Sequence, residues 1–405
     1  MNNLIRSLYC VLIAFVFISC ESEGLDLLLS ENSQSEKYEY AIQVAKARYC
    51  ESSNITRGKD NEARISGVYA ILRDDFIPIS RVPLVKEPFP DTLMYVVNFS
   101  GNKGFAIVSV DELTKGLLAF IEKGNMQTLS AEFNPGFSIF LDNLRCYFIK
   151  KHNSDIHKGG GGFEIPDSLN HPHEFQRTID TLYTCFLETH WHQHSPLNAF
   201  CYHNGVNIPT GCIPVAVGQI VAKNQYPDSF HGFSFNWDYI SHDSLPVLSS
   251  ETAKVAHLLN DLRIITHSDG DTTGHGGDPQ KIVNAFDSLG YSHSNLVYYD
   301  YNTAKGDFEN GRPVLIRGAK ENNQKVGHAW VADGMQVSSV HAYNLGSNTF
   351  TRLDIRREIH FNWGFGGNFD GYFLSDVFDP DEEGTAYTSY SHETCMIHNI
   401  IPANH

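Results

Sequence analysis

A cysteine opens the stretch "TGCIPVAVGQIVAKNQYP", residues 210–227, directly after a Thr-Gly turn signal. A thiol in that place can be a buried filler, half of a disulfide, a metal ligand or a nucleophile. Pro214 is harmless only in the first turn of a helix, where its missing N–H has no partner to lose, so a helix should begin at about Cys212. Val215, Val217, Ile220 and Val221, with small Ala216 and Gly218, make that helix apolar nearly all round and therefore buried; Pro227 should stop it. The free N–H groups and dipole at a helix start favour negative charge. The expected effect on Cys212 is a pKa lowered from about 8.5 towards the range of reactive cysteines, about 3.5–7.5. With no CxxC pair in the chain, a cysteine-built zinc site is disfavoured.

A nucleophilic thiol needs a base. "KVGHAWVADG" offers His328, 116 residues after Cys212, and "EIHFNWGFGGNFDGYF" offers Asn362 and Trp363 before a glycine-rich turn. The order Cys, His, Asn at such separations is a papain-like arrangement. In it His328 would take the thiol proton and later protonate the leaving amine. Asn362 would orient the imidazole, and Trp363 would shield that contact from water. Acyl transfer also needs an oxyanion donor, and "ETHWHQHSPLN" supplies Gln193, 19 residues before Cys212.

The segments "TGCIPVAVGQIVAKNQYP", "WHQHSPLN", "GRPVLIRG", "GHAWVADG" and "HFNWGFGGNFDGYF" resemble the streptopain-like (interpain-like) cysteine peptidases, and "LMYVVNFSGNKGFAIVSVDE" is similar to that family's propeptide. The resemblance implies an α+β fold, a papain-like cysteine peptidase domain preceded by a small α+β prosegment that keeps it latent. It implies Cys212 as nucleophile, His328 as general base and acid, Gln193 as oxyanion donor, Asn362 orienting His328, and Trp363 shielding the dyad. The implied partners are protein or peptide substrates and the chain's own propeptide; no cofactor and no metal are implied. The chain departs from the family pattern at Phe365, Gly218 and Val110, none of which is a catalytic group.

Elements must position these residues. A helix is expected over Glu36–Cys50, then three short β-rich runs, "LMYVVNFS", "GFAIVSVD" and "LLAFIEKG". A second helix follows in "NPGFSIFLDNLRCYFIKK", with Asn134 and Pro135 as start signals and Lys150–Lys151 near its end. The stretch around Gly159–Gly162 reads as a linker. The expected organisation is a signal peptide over 1–19, a tether over 20–35, the inhibitory propeptide over 36–151, a linker and processing region over 152–172, and the catalytic domain over 173–405.

Upstream, "MNNLIRSLYCVLIAFVFISCES" has Arg6, an apolar run and then Ser19-Cys20, a secretory pattern in which Cys20 resembles a lipidation site. The expected location is exported, anchored through lipid on Cys20 as precursor, with the catalytic part released after processing. The 405 residues hold 47 acidic and 30 basic side chains, a net charge of −17, which disfavours nucleic acid as a partner. The membrane is expected as a partner only through the lipid. Alternate His190, His192 and His194 read as surface or groove histidines, and the Asp- and Gly-rich 267–279 and 379–387 as loops. Two other readings stay open: an idle papain-fold binding lipoprotein, and a cysteine amidase or acyltransferase. The intact set of Cys212, His328, Gln193 and Asn362 weighs against the first, and the propeptide-like unit against the second.

Overall fold

The computed structural model describes residues 34–51, 63–76, 91–127, 134–158, 173–184, 187–241, 245, 249–268, 281–320, 323–344, 349–378 and 394–403. The signal peptide, Cys20, most of the tether and the 267–279 and 379–387 loops lie wholly or largely outside them.

Helix α1 (34–51) precedes a four-stranded antiparallel meander, β1 (Ile65–Leu72), β2 (Thr92–Phe99), β3 (Phe105–Ser109) and β4 (Gly116–Ile121). The last three correspond to the expected β-rich runs, and β1 is an element that its Ser-Gly interruption concealed. All residues of β2, β3 and β4 are buried, because the meander is covered on both faces. Ala41, Ala45 and Tyr49 of α1 pack on one face with Tyr95, Val97 and Phe120. Phe137, Phe140, Leu141 and Leu144 of α2 (Pro135–Lys158) pack on the other with Val96, Phe105 and Ile107. Helix α2 runs to Lys158, so the segment expected to open the linker at 152 is helical as far as the glycine run. No helix breaker stands between Lys151 and Gly159; residues 159–172 lie outside the described set.

The second half begins with β5 (His173–Tyr183) and continues through α3 (Cys212–Asn224), α4 (Ser250–Ile265), α5 (Ile282–Ser288), β6 (Val297–Tyr298), α6 (Tyr301–Glu309), β7 (Val314–Lys320), β8 (Asn323–Asn344), β9 (Thr349–Asn362), β10 (Gly371–Leu374) and β11 (Cys395–Ile397). The two halves share one eleven-stranded sheet, in the order β1-β2-β3-β4-β10-β9-β8-β7-β11-β6, with β5 paired to β8. The joint is β4 against β10, antiparallel, with Ile121 opposite Gly371 and Ala119 opposite Phe373. Helix α2 lies over that joint. Its aromatic face enters the same core as Trp330, Phe361, Trp363, Phe373 and Phe378 of the second half. The Cys212 helix, α4 and α5 pack on the opposite face, against Leu315, Ala329, Val331 and Ile397.

Charged side chains close the joint. Arg48 of α1 and Glu358 of β9, each 1% exposed, stand 3.8 Å apart, and the Arg48 guanidinium lies 4.6 Å from the ring centres of both Phe120 and Tyr372. Arg356 of β9 donates to the Lys115 carbonyl. Gly116 leaves room for it: at φ 127° it carries no Cβ to collide with the guanidinium. Removing one member of a buried ion pair strands the other at a cost of about 3 kcal/mol. In an inactive Cys212→Ala background, Arg48→Ala should lower the urea midpoint of full-length protein accordingly; an unchanged midpoint would show that the pair does not hold the joint.

Candidate functional site

Cys212 is the first residue of α3, as its proline placement predicts, and Gly211 before it has φ 90°, ψ 156°. Every residue from Ile213 to Ala222 is buried. Gly218 sits where a Cβ would come 2.7 Å from the tip of Leu259 and 3.1 Å from the Trp191 ring, so a larger residue there would make those side chains shift. The helix ends at Asn224, with Gln225 in the left-handed conformation as its cap, two residues before Pro227.

The thiol is half-buried, and burial pushes its pKa up. Hydrogen bonds from the N–H groups of Ala329, Cys212 and Ile213, and the nearby Arg317 charge, pull it down without overcoming the loss of solvent. The lowered pKa expected from the helix start is therefore corrected for this state. Desolvation of a thiolate outweighs a helix dipole that acts through a few N–H groups. The Ala329 contact also brings the His328 strand against the sulfur.

His328 is 2% exposed. Its ring lies nearly parallel to Trp330, with centres 6.2 Å apart, and near Trp363 and Phe365 at 6.5 and 6.3 Å. The Nε2 atom hydrogen-bonds the Trp363 carbonyl oxygen at 2.8 Å. The hydrogen bonds of the Asn362 amide run to other partners in this structure. Its Nδ2 donates to the Thr189 carbonyl (2.8 Å), and its Oδ1 accepts from Gln219 Nε2 (3.1 Å) and the Gly364 N–H (3.0 Å). The start of α2 packs against the same site. A Cβ on Gly136 would overlap the Trp363 ring and stand 2.8 Å from His328 Cδ2. Asn134 caps that first turn by accepting from the Gly136 and Phe137 N–H groups, and its own Nδ2 donates to the Asn368 carbonyl in the glycine-rich turn.

Trp363 is fully buried. Its indole N–H donates to the Phe369 carbonyl and its backbone N–H to Asp370. It lies between the start of α2 and His328. Gln193 is half-buried, and its carbonyl accepts the Thr210 N–H at 2.9 Å, which fixes its loop beside the turn into Cys212. His190 pairs with the buried Asp370 carboxylate at 3.3 Å, and His192 faces His194. Burial, then the neighbouring His194, hold the His192 pKa down.

Gln219 escaped the sequence reading. It is the one uncharged polar side chain between Cys212 and Lys223, fully buried, and that isolation was the available signal. Its Oε1 accepts the Trp191 N–H (3.0 Å) while its Nε2 donates to Asn362. One amide thus ties the Cys212 helix to the Gln193 loop and to the end of β9.

Two measurements follow from this geometry. Gln219→Leu would leave the buried Trp191 backbone N–H unpaired, at about 1–3 kcal/mol, and remove one of the two donors to Asn362 Oδ1; the variant should unfold at lower urea, and an unchanged midpoint would exclude the clamp. In full-length protein, alkylation of Cys212 followed by peptide mass spectrometry should rise with pH only beyond the ordinary thiol value of about 8.5. A plateau below pH 7 would contradict the upward shift.

Comparison with known proteins places these segments. The Peptidase C10 family model matches residues 191–373, and the Spi protease inhibitor model matches residues 84–148. Streptopain of Streptococcus pyogenes is 24% identical over 338 residues, covering 72% of this chain and 76% of that protein. The thiol protease/hemagglutinin PrtT of Porphyromonas gingivalis is 21% identical over 356 residues, 78% of this chain and 37% of that one. A solved fragment of prointerpain A from Prevotella intermedia shares the fold, with TM-score 0.52 at 19% identity, covering 75% of this chain and 94% of the fragment.

Proposed function

Because this chain belongs to the Peptidase C10 family of cysteine peptidases and carries that family's propeptide region, we propose that it is a secreted endopeptidase held latent by its own first half. The observation that carries the reading is the close approach of Gly136 to His328 and Trp363.

In the released enzyme His328 deprotonates Cys212, and the thiolate attacks the scissile carbonyl. The oxyanion is met by the Cys212 N–H and the Gln193 amide. His328 then protonates the leaving amine, and water hydrolyses the thioester. In the precursor three features oppose this sequence. Burial pushes the Cys212 pKa up, which disfavours the thiolate, His328 Nε2 is engaged by the Trp363 carbonyl, and Asn362 is turned to Thr189 and Gln219. Departure of α2 frees the space over Trp363 and lets the imidazole swing towards Cys212, with Asn362 as its orienting group and Trp363 as cover.

Cys212→Ala and His328→Ala in the processed enzyme should each abolish hydrolysis of a denatured protein substrate and labelling by an epoxysuccinyl thiol probe. Gln193→Ala should lose about 10²-fold in turnover. More than a few per cent residual activity in either dyad variant would overturn the assignment. Residues 34–158 added in trans should inhibit the processed enzyme, and Gly136→Val in that segment should weaken inhibition, since its side chain cannot enter the space against Trp363.

The chain is exported with lipid on Cys20, and a cut in 159–172 separates the anchored first half from the catalytic half. The secretory pattern at residues 1–20 and the glycine run at 159–162 support this reading. Membrane fractionation with a C-terminal tag should find the Cys212→Ala precursor in the membrane and the wild-type fragment in the soluble fraction. A soluble precursor with Cys20 intact would refute the anchor.

A further inference from the structure

Beside the Cys212 helix a chain of hydrogen bonds closes on itself. The Thr189 carbonyl accepts from Asn362 Nδ2, Asn362 Oδ1 accepts from Gln219 Nε2, and Gln219 Oε1 accepts from the Trp191 N–H. All four residues are buried. The ring leaves neither amide a choice of orientation. The Trp191 N–H can only donate, so Gln219 turns its oxygen to it and its nitrogen to Asn362. The Thr189 carbonyl, an acceptor, and the Gly364 N–H, a donor, call for the matching orientation of Asn362.

The segment held by this ring runs on into Gln193. The Trp191 carbonyl accepts the Gly366 N–H, and the Gln193 carbonyl accepts the Thr210 N–H. Gln219 stands seven residues after Cys212, two turns on, so both project from one side of α3, about 10.5 Å apart along its axis. The helix that carries the thiol therefore also carries the acceptor for the Trp191 N–H, two residues from the Gln193 side chain. Without that acceptor a buried N–H is left unpaired, and the segment has to move to find another. Such a shift reaches Gln193 directly. For a group that must meet the reacting atoms, a misplacement of about 1 Å costs about 10²-fold in rate.

We infer that Gln219 is a positioning residue for the proteolytic reaction: through Trp191 it sets where Gln193 stands relative to Cys212, and so how well the oxyanion is met. This rests on the peptidase reading above.

The test uses full-length precursors, folded first and then cut between their halves by a serine protease that is inactivated before assay. Values of kcat and KM on a quenched-fluorescence peptide are taken per mole of folded protein. Gln219→Met keeps the length of the side chain but offers Trp191 no comparable acceptor. It should lower kcat by more than about threefold and by no more than Gln193→Ala does, about 10²-fold, with KM nearly unchanged. Added to Gln193→Ala it should cost less than about threefold more, because its effect passes through Gln193. Gln219→Glu supplies a readout that a packing role would not move. The uncharged carboxyl copies the glutamine, accepting from Trp191 and donating its O–H to Asn362. The carboxylate has no proton for Asn362 Oδ1 and breaks the ring. Burial favours the uncharged form, so kcat relative to wild type should be near one at low pH and fall as pH rises, while the Gln219→Met deficit stays constant. The inference is overturned if Gln219→Met loses less than threefold in kcat, if its loss falls on KM instead, if it multiplies with that of Gln193→Ala, or if the Gln219→Glu ratio ignores pH. Should one variant not fold, the other decides. Failure of wild type to cut in a Cys212-dependent way defeats the peptidase reading itself. That result is distinct from a fast Gln219→Met beside a slow Gln193→Ala, which defeats this inference alone.

Discussion

The arrangement depends on a residue without a side chain. Gly136, second in α2, lets the first turn of that helix lie directly on Trp363 and His328, closer than any Cβ would allow. Because the turn is that close, Asn134 can cap its own helix and reach the Asn368 carbonyl at once. Phe137 stacks on Phe369 with centres 4.9 Å apart, and the aromatic face of α2 fuses with Trp330, Phe361 and Phe373. The sheet joint between β4 and β10 and the Arg48–Glu358 pair fix the same approach from the opposite edge.

The electrostatic consequence runs against the usual intuition for a cysteine at a helix start. Three N–H groups and a guanidinium converge on Cys212, yet its pKa moves up, because a thiolate deprived of water loses more than those donors return. The donors are prearranged and become effective once solvent or an imidazolium reaches the sulfur. Asp370 shows the same balance. Burial raises its pKa, while His190 and the Trp363 N–H pull it down without prevailing.

Much of this was legible in the residues. Asn134-Pro135, Thr210-Gly211 before Cys212 and the placement of Pro214 are local signals, and the helices begin where they indicate. The order of Cys212, His328 and Asn362 pointed to one chemistry. What stayed hidden depends on contacts between distant segments. The β4–β10 pairing joins residues about 250 positions apart, and no periodicity announces it. The true partners of the Asn362 amide depend on Gln219, which looks from sequence like one polar residue in an apolar helix. The direction of the Cys212 shift depends on how much protein covers the thiol, which spacing along the chain does not encode.

The continuous sheet separates two events that proteolysis is often taken to accomplish together. Cutting the chain between the halves breaks one covalent link and leaves the β4–β10 hydrogen bonds, the shared aromatic core and the Arg48 contacts as they were. What changes is the effective concentration of the first half, which falls from that of a tethered neighbour, in the millimolar range for short linkers, to whatever its surroundings hold. Under the proposed latency, the nicked protein would be a non-covalent complex whose activity depends on dilution. If the first half is held at a surface through Cys20, as proposed, it stays behind while the catalytic half diffuses away, and distance from the cell would act as a second step of activation.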